Sequence, residues 1–206
     1  MRFAALFLLG LLGAACNRVP PEPSAVDAHI APASSSNSEV APAMLTSASA
    51  PTGSASACIR AMAKDAPPAV SAAPVSVCPK DPTPNVKLRS TSIQVGSASL
   101  DVEIAETDAE SEKGLMYRTH MLEEHGMLFD LHIVKDHEFW MHNTCIPLDM
   151  LFVDASGTIV GVLENVPVLN DEPRSVGCPS SWVLETNAGW ARRHNVHPGD
   201  KIQLPK

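Results

Sequence analysis

The chain is 206 residues long with a formal net charge of -8, and both its prolines and its charges are unevenly spread. Twelve of its eighteen prolines lie between Pro20 and Pro84, so one folded domain is expected after them. Residues 89–206 hold eighteen acids and nine bases, a net of -9; such a domain repels a phosphate backbone and lacks a basic stripe with aromatics, which excludes nucleic acid as a partner.

At the N-terminus, Met1 and Arg2 form a short positive region, and Phe3 to Ala15 form an apolar core that ends at Cys16. A helix of that length rises about 20 Å, too little for a ~30 Å hydrocarbon core, so residues 1–15 read as a signal peptide and not as an anchor helix. Gly13, Ala14 and Ala15 directly before Cys16 resemble the lipobox of bacterial lipoproteins. The resemblance implies a lipidated Cys16 as the new N-terminus and attachment to a membrane through its acyl chains, with ordinary secretion as the alternative. Asn17 resembles the outer-membrane default of lipoprotein sorting, so the expected place is the outer-membrane side of the cell envelope.

Residues 16–88 are rich in Ala, Pro, Ser, Thr and Val without a sustained apolar period. Such a segment cannot bury enough surface to offset the entropy of ordering, and a disordered tether is expected. Cys58 and Cys78 inside it suggest a small disulfide-closed loop in an oxidising compartment; an intermolecular bond or free thiols are the alternatives.

The folded domain, 89–206, opens with a hairpin. Ser92 to Val95 and Leu100 to Ala105 alternate apolar with polar residues around the turn Gly96-Ser97. Thr107-Asp108-Ala109-Glu110 has the form of a capping box, with a short helix over Asp108 to Met116. Asp108, Glu110 and Glu112 crowd its first turns, where the macrodipole favours negative charge, which makes them helix-stabilising and not catalytic. Gly126 to Phe129 and Glu138 to Met141 are short apolar runs expected as buried strands. Leu148 to Val153 and Thr158 to Leu163 form a clearer pair, joined through the turn Asp154-Ala155-Ser156-Gly157. Both are apolar on both faces and should be covered on both. The stretch Phe139 to Asp154 is thus the expected central arm. Asn165 to Pro179 reads as loop, Ser181 to Thr186 as a strand, Asn187 to His194 as a turn of helix, and Lys201 to Leu204 as a closing strand. The expected class is mainly β: a small sandwich or squashed barrel with one short α-helix.

Six ordered motifs carry a family resemblance: Glu112 to Arg118, Gly126 to Phe129, Phe139 to Thr144, Ile146 to Asp149 with Asp154 and Gly157, Val183 to Glu185 with Ala188 and Gly189, and Pro198 to Asp200. Over about 115 residues the chain resembles the bacterial and archaeal family known as domain of unknown function 192. The resemblance implies a compact jelly-roll-like domain, often exported, and no settled activity. Two features depart from the family pattern. His142 stands where lysine is more usual, and Cys145 and Cys178 are additional. With Cys16 lipidated, four thiols remain in an oxidising compartment, and a disulfide between Cys145 and Cys178 is expected, worth roughly 3–4 kcal/mol on the chain-entropy model.

His120, His125, His132, His137 and His142 recur at intervals of five or seven. Residues five apart face opposite ways on a strand and lie about 140° apart on a helix, so exposed histidines are expected and not a metal set. No G-x-S-x-G, phosphate-binding loop or dinucleotide fingerprint occurs, and no cofactor is expected. What remains is a polar group among apolar neighbours: Arg118, Asn143, Thr144, Asp149 and Glu185, with Trp140 beside them. In the structural reading Asn143 and Thr144 bond the backbone before Pro147, and Arg118 pairs with Asp149 or Glu185. In the functional reading these residues and Trp140 wall a cleft. Three functions follow: a non-catalytic envelope module that binds another envelope component, a small-molecule or metal-binding lipoprotein, and an envelope hydrolase or lyase using Asp149 or Glu185. The first is preferred.

Overall fold

A computed structural model describes residues 58–84 and 86–205 of the chain. The expected signal peptide, Cys16 and the tether up to residue 57 lie outside the described residues.

The domain is mainly β, with eight strands and two short helices: β1 (Arg89–Val95), β2 (Ala98–Ala105), α1 (Asp108–Lys113), β3 (His125–Lys135), β4 (Phe139–Met141), β5 (Leu148–Val153), β6 (Ile159–Val166), β7 (Asn170–Arg174), β8 (Ser180–Asn187) and α2 (Trp190–Arg193). Six strands form one sheet in the order β1-β2-β3-β8-β5-β6, and β4 pairs with β7 in a second, small sheet. All pairings are antiparallel except β2 with β3. The crossover between those two carries α1, as a parallel connection requires. The C-terminal segment touches both edges of the large sheet by single bridges, Val95 to Ile202 and Thr158 to Lys201. No continuous ladder joins the edges, so the sheet does not close into a barrel.

The first hairpin, the β5–β6 hairpin and β8 stand where alternation and apolar runs predict them. The capping box of α1 is present: the Glu110 N–H donates to Thr107 Oγ1 at 3.3 Å and the Thr107 N–H to Glu110 Oε2 at 3.0 Å. Every residue of β5 is buried, which agrees with its being apolar on both faces. On one face Leu128, Leu151, Leu184 and Trp190 belong to a core completed by β1, β2 and the C-terminal segment. On the other, Met127, Phe129, Met150, Phe152 and Val183 belong to a second core under Met141 of β4. Phe139 seals that layer, its ring edge-on to Phe129 at 5.2 Å and to Phe152 at 5.9 Å between centroids. The Phe139 to Asp154 stretch therefore runs from the small sheet into the large one.

Gly126 shows how tightly the central strands approach. A Cβ there would come within 2.6 Å of the Glu185 carbonyl oxygen, a contact no side chain tolerates.

The cysteines pair differently from expectation. Cys58 is bonded to Cys178, 120 residues on, and Cys78 to Cys145, 67 residues on. Neither Cys58–Cys78 nor Cys145–Cys178 forms. Residues 58–84 are consequently not a free tether but a strap on the domain. The Arg60 N–H donates to the Val160 carbonyl at 2.7 Å, the Ala73 N–H to the Cys145 carbonyl at 2.8 Å, and the Asn165 side-chain amide to the Pro67 carbonyl at 2.9 Å. At its far end Lys113 Nζ meets Asp81 at 2.9 Å and the Thr83 carbonyl at 2.5 Å. The strap has no core of its own, as its composition predicts. It is ordered because two covalent links remove much of the chain entropy that its few apolar contacts could not offset.

Candidate functional site

A cleft of about 210 Å³ lies over the second core, between α1 with the turn after it, the end of β3, and β4. Its walls include Phe129, Leu131, Phe139 and Trp140; Thr144 and Glu185 complete it from below.

Glu185 reaches this place through strand register. On β8 it is paired with Met127 of β3 on one side and Met150 of β5 on the other. It therefore stands in a row of thioether side chains on the face that carries the second core. The residue is 4% exposed. No ion pair and no hydrogen bond reach its carboxyl from any described residue, and burial alone pushes its pKa from 4.5 up to about 8. At neutral pH the side chain is thus mainly an un-ionised carboxylic acid, which can donate one hydrogen bond and accept others.

The rim is built by the turn after β4. Asn143 takes a left-handed conformation, φ 51°. Its carbonyl accepts the Tyr117 N–H at 2.8 Å and its amide donates to the Tyr117 hydroxyl at 3.1 Å. Buried Thr144 donates its hydroxyl to the His142 carbonyl at 3.2 Å, and its own carbonyl accepts the Leu169 N–H at 3.0 Å. These bonds fix the direction in which Trp140 and His142 leave the small sheet. The Trp140 ring is about half exposed and lies 5.3 Å from the His142 ring. His142 Nδ1 is 2.7 Å from Asp171 Oδ1 on β7, an arrangement that leaves Nε2 as the free imidazole nitrogen.

Of the six candidate residues, Trp140, Thr144 and Glu185 meet at this cleft. Asn143 lines a shallower neighbouring depression with Trp140, His142 and strap residues Pro82 and Thr83. Arg118 and Asp149 belong to neither. Arg118 pairs with Glu103 of β2 and not with Asp149 or Glu185. Glu103 is partly exposed, so the pair stays hydrated, whereas reaching Glu185 would bury both charges beyond Met127. Asp149 is a structural anchor. Its Oδ1 accepts the N–H groups of Asn165 and Gly189, each at 2.9 Å, and its Oδ2 that of Ala191 at 3.1 Å. Burial raises its pKa while these three donors oppose the rise, and its oxygens are committed to holding α2 and the end of β6.

The histidines also divide. His132 Nε2 bonds the Glu106 carbonyl at 2.9 Å. His137 is buried and bonds the Ile133 carbonyl at 2.7 Å, contrary to the expectation of exposure. Among the described residues no three His, Cys, Asp or Glu side chains come together as a metal set. Sequence reasoning missed the contributions of Phe129, Leu131 and His137 to the cleft. The signal for Phe129 and Leu131 was their parity on β3; His137 carried none.

A family model matches residues 91–204, that of DUF192, described as an uncharacterized ACR. Two solved structures resemble the chain. One, from Sinorhizobium meliloti 1021, is described as a candidate transcription regulator; it is 37% identical, with a TM-score of 0.56, over 58% of this chain and 96% of that one. The other, from Novosphingobium aromaticivorans DSM 12444, is a protein of unknown function; it is 33% identical, with a TM-score of 0.56, over 63% of this chain and 96% of that one. No curated protein matches.

Proposed function

Because the chain belongs to the DUF192 family, which has a shared domain and no assigned reaction, we propose from its own residues that it is a cell-envelope lipoprotein whose β-domain is a non-catalytic binding module, with the Glu185 cleft as its small-ligand site. The observation that carries the reading is a carboxyl at the floor of a cleft with no partner of its own. A largely buried carboxyl that no protein group pairs or bonds is open to a ligand that offers it hydrogen bonds or an opposite charge.

The apolar segment ahead of Cys16 supports export and lipidation, and two disulfides among the described residues suit an oxidising compartment. The lipid is the expected membrane partner. Transcriptional regulation, the description of the Sinorhizobium relative, does not suit this chain: eighteen acids against nine bases in residues 89–206 repel DNA. A hydrolase centred on Asp149 is disfavoured by the three backbone bonds that occupy it. Another envelope protein remains a second class of partner, favoured by the half-exposed Trp140 at the rim.

The test is a thermal melt of the mature chain against a panel of envelope metabolites, beside a Trp140→Ala variant that should fold because the ring is half exposed. A ligand at a hundred times its Kd adds about 2.7 kcal/mol, several degrees for a domain of this size. A shift in the wild type that shrinks in the variant supports the cleft. An equal shift in both, or none with any compound, removes it.

A further inference from the structure

The chemistry of the cleft is asymmetric. Three of its walls are aromatic, from Phe129, Phe139 and Trp140, and three of its members are carboxylic, Glu112 and Glu138 exposed at the rim and Glu185 buried at the floor. Among the described residues Lys113 is the one lysine or arginine in the lining, and the strap occupies it: its Nζ contacts the Asp81 carboxylate and both the carbonyl and the hydroxyl of Thr83. Of the imidazoles, His137 is bonded to the Ile133 carbonyl, and His142, though its Nε2 is free, is paired through Nδ1 with the Asp171 carboxylate, which offsets any charge it carries. An anion would therefore meet rim carboxylates and no available cation. A neutral ligand could donate hydrogen bonds to those carboxylates but would leave their net negative charge uncompensated. A hard metal ion needs several oxygen or nitrogen ligands at short range, and the floor supplies one carboxyl among thioethers and rings.

We propose that the cleft binds a small organic cation, a primary or quaternary amine, with its charged nitrogen over the Glu185 carboxyl and its alkyl groups against the rings of Phe129, Phe139 and Trp140. The inference rests on the reading of this cleft as a ligand site. Aromatic side chains attract an ammonium, the exposed rim acids Glu112 and Glu138 attract it as well, and Glu185 supplies a largely buried countercharge, worth more there than in water.

Binding of this kind is coupled to a proton. Without ligand the Glu185 proton leaves only near pH 8, so at pH 7 the acid is mostly protonated. A cation beside it favours the carboxylate: the O–H bond breaks, the proton passes to solvent, and an ammonium–carboxylate pair forms. The groups sharing the cleft with Glu185 are Glu112 and Lys113 from α1, His137 and Glu138 before β4, and His142 after it. The adjoining strands place Met127 and Met150, which do not titrate, directly beside it. Affinity should therefore rise about tenfold per pH unit up to about pH 8 and then level off.

The experiment is calorimetric titration of the full mature chain in detergent. The probes are choline and its neutral carbon isostere 3,3-dimethylbutan-1-ol, in two buffers of different ionisation enthalpy at pH 7. The expected result is choline binding at least tenfold tighter than the isostere, with close to one proton released. In Glu185→Gln both the preference and the release should vanish, while at pH 4, below the ordinary value of 4.5 at which Glu185 titrates in the unfolded chain, its Tm stays close to that of the wild type. Equal affinity for choline and the isostere overturns the cation assignment, as does a choline response unchanged in Glu185→Gln. If both probes are silent while another compound raises the Tm, the ligand class alone is wrong. Silence of every compound removes the binding site as well.

Discussion

Met150 of β5 stands directly beside Glu185 of β8 in the central ladder of the large sheet. A thioether offers a carboxyl no hydrogen bond of consequence, and Met127 on the opposite side offers none either. The side chain is consequently held in its neutral form by its surroundings.

A pH dependence of stability follows. Glu185 titrates near its ordinary value of 4.5 in the unfolded chain and near 8 in the folded one, so the folded state binds the proton more tightly. Its stabilising effect is complete below about pH 4.5 and is lost as pH rises toward about 8, at roughly 1.4 kcal/mol per pH unit where the slope is steepest. Glu185→Gln keeps the shape and cannot ionise. Urea unfolding between pH 5 and pH 9 should show the wild type losing several kcal/mol relative to the variant. Parallel curves would mean that the carboxyl has hydrated access and an ordinary pKa.

The strands that the sequence reveals are those whose residue types answer to burial. β5 and β6 are apolar runs around an Asp-to-Gly turn, and β1 with β2 alternate; each signal is local. β7 was hidden in an expected loop because Asn170 to Arg174 is polar and contains Pro173. It pairs only with three-residue β4 in the small sheet, where a proline is tolerated. Glu185 stands out as an acid in an apolar run, yet its lack of a partner depends on which residues of β3 and β5 lie beside it. Arg118 shows the same limit, since its partner Glu103 is set by the packing of the turn after α1 against β2 and not by any spacing along the chain. The strap was illegible for a stronger reason: its composition is that of a disordered segment, and its order comes from bonds to residues 120 and 67 positions away.

That strap can be checked chemically. Peptide mapping without reductant should recover Cys58 with Cys178 and Cys78 with Cys145. Trypsin has exposed sites in the strap at Lys64 and Lys80, and the cut pieces should stay with the domain until a reductant is added. Each bond removed should lower stability by about 2–5 kcal/mol; the loops are nested, so the losses need not add. Recovery of a Cys58–Cys78 peptide would sink the strap and restore the tether.

The two charged residues outside the cleft should behave very differently from each other. Asp149 is fully buried and accepts three backbone N–H bonds from Asn165, Gly189 and Ala191. Alanine in its place leaves three backbone donors without a partner, that of Ala191 buried and those of Asn165 and Gly189 partly buried, at about 1–3 kcal/mol for a buried donor and less for a partly buried one. A total near 3 kcal/mol or more is a large share of the stability of a domain this size. Arg118 and Glu103 are each about one third exposed, and a pair in that setting contributes about 1 kcal/mol or less. In chemical denaturation Asp149→Ala should therefore shift the midpoint strongly, and Arg118→Ala should fall close to the wild type. If Arg118→Ala proved as damaging as Asp149→Ala, the guanidinium would have to be neutralising a buried acid after all, and Glu185 would be the one within the same strand row.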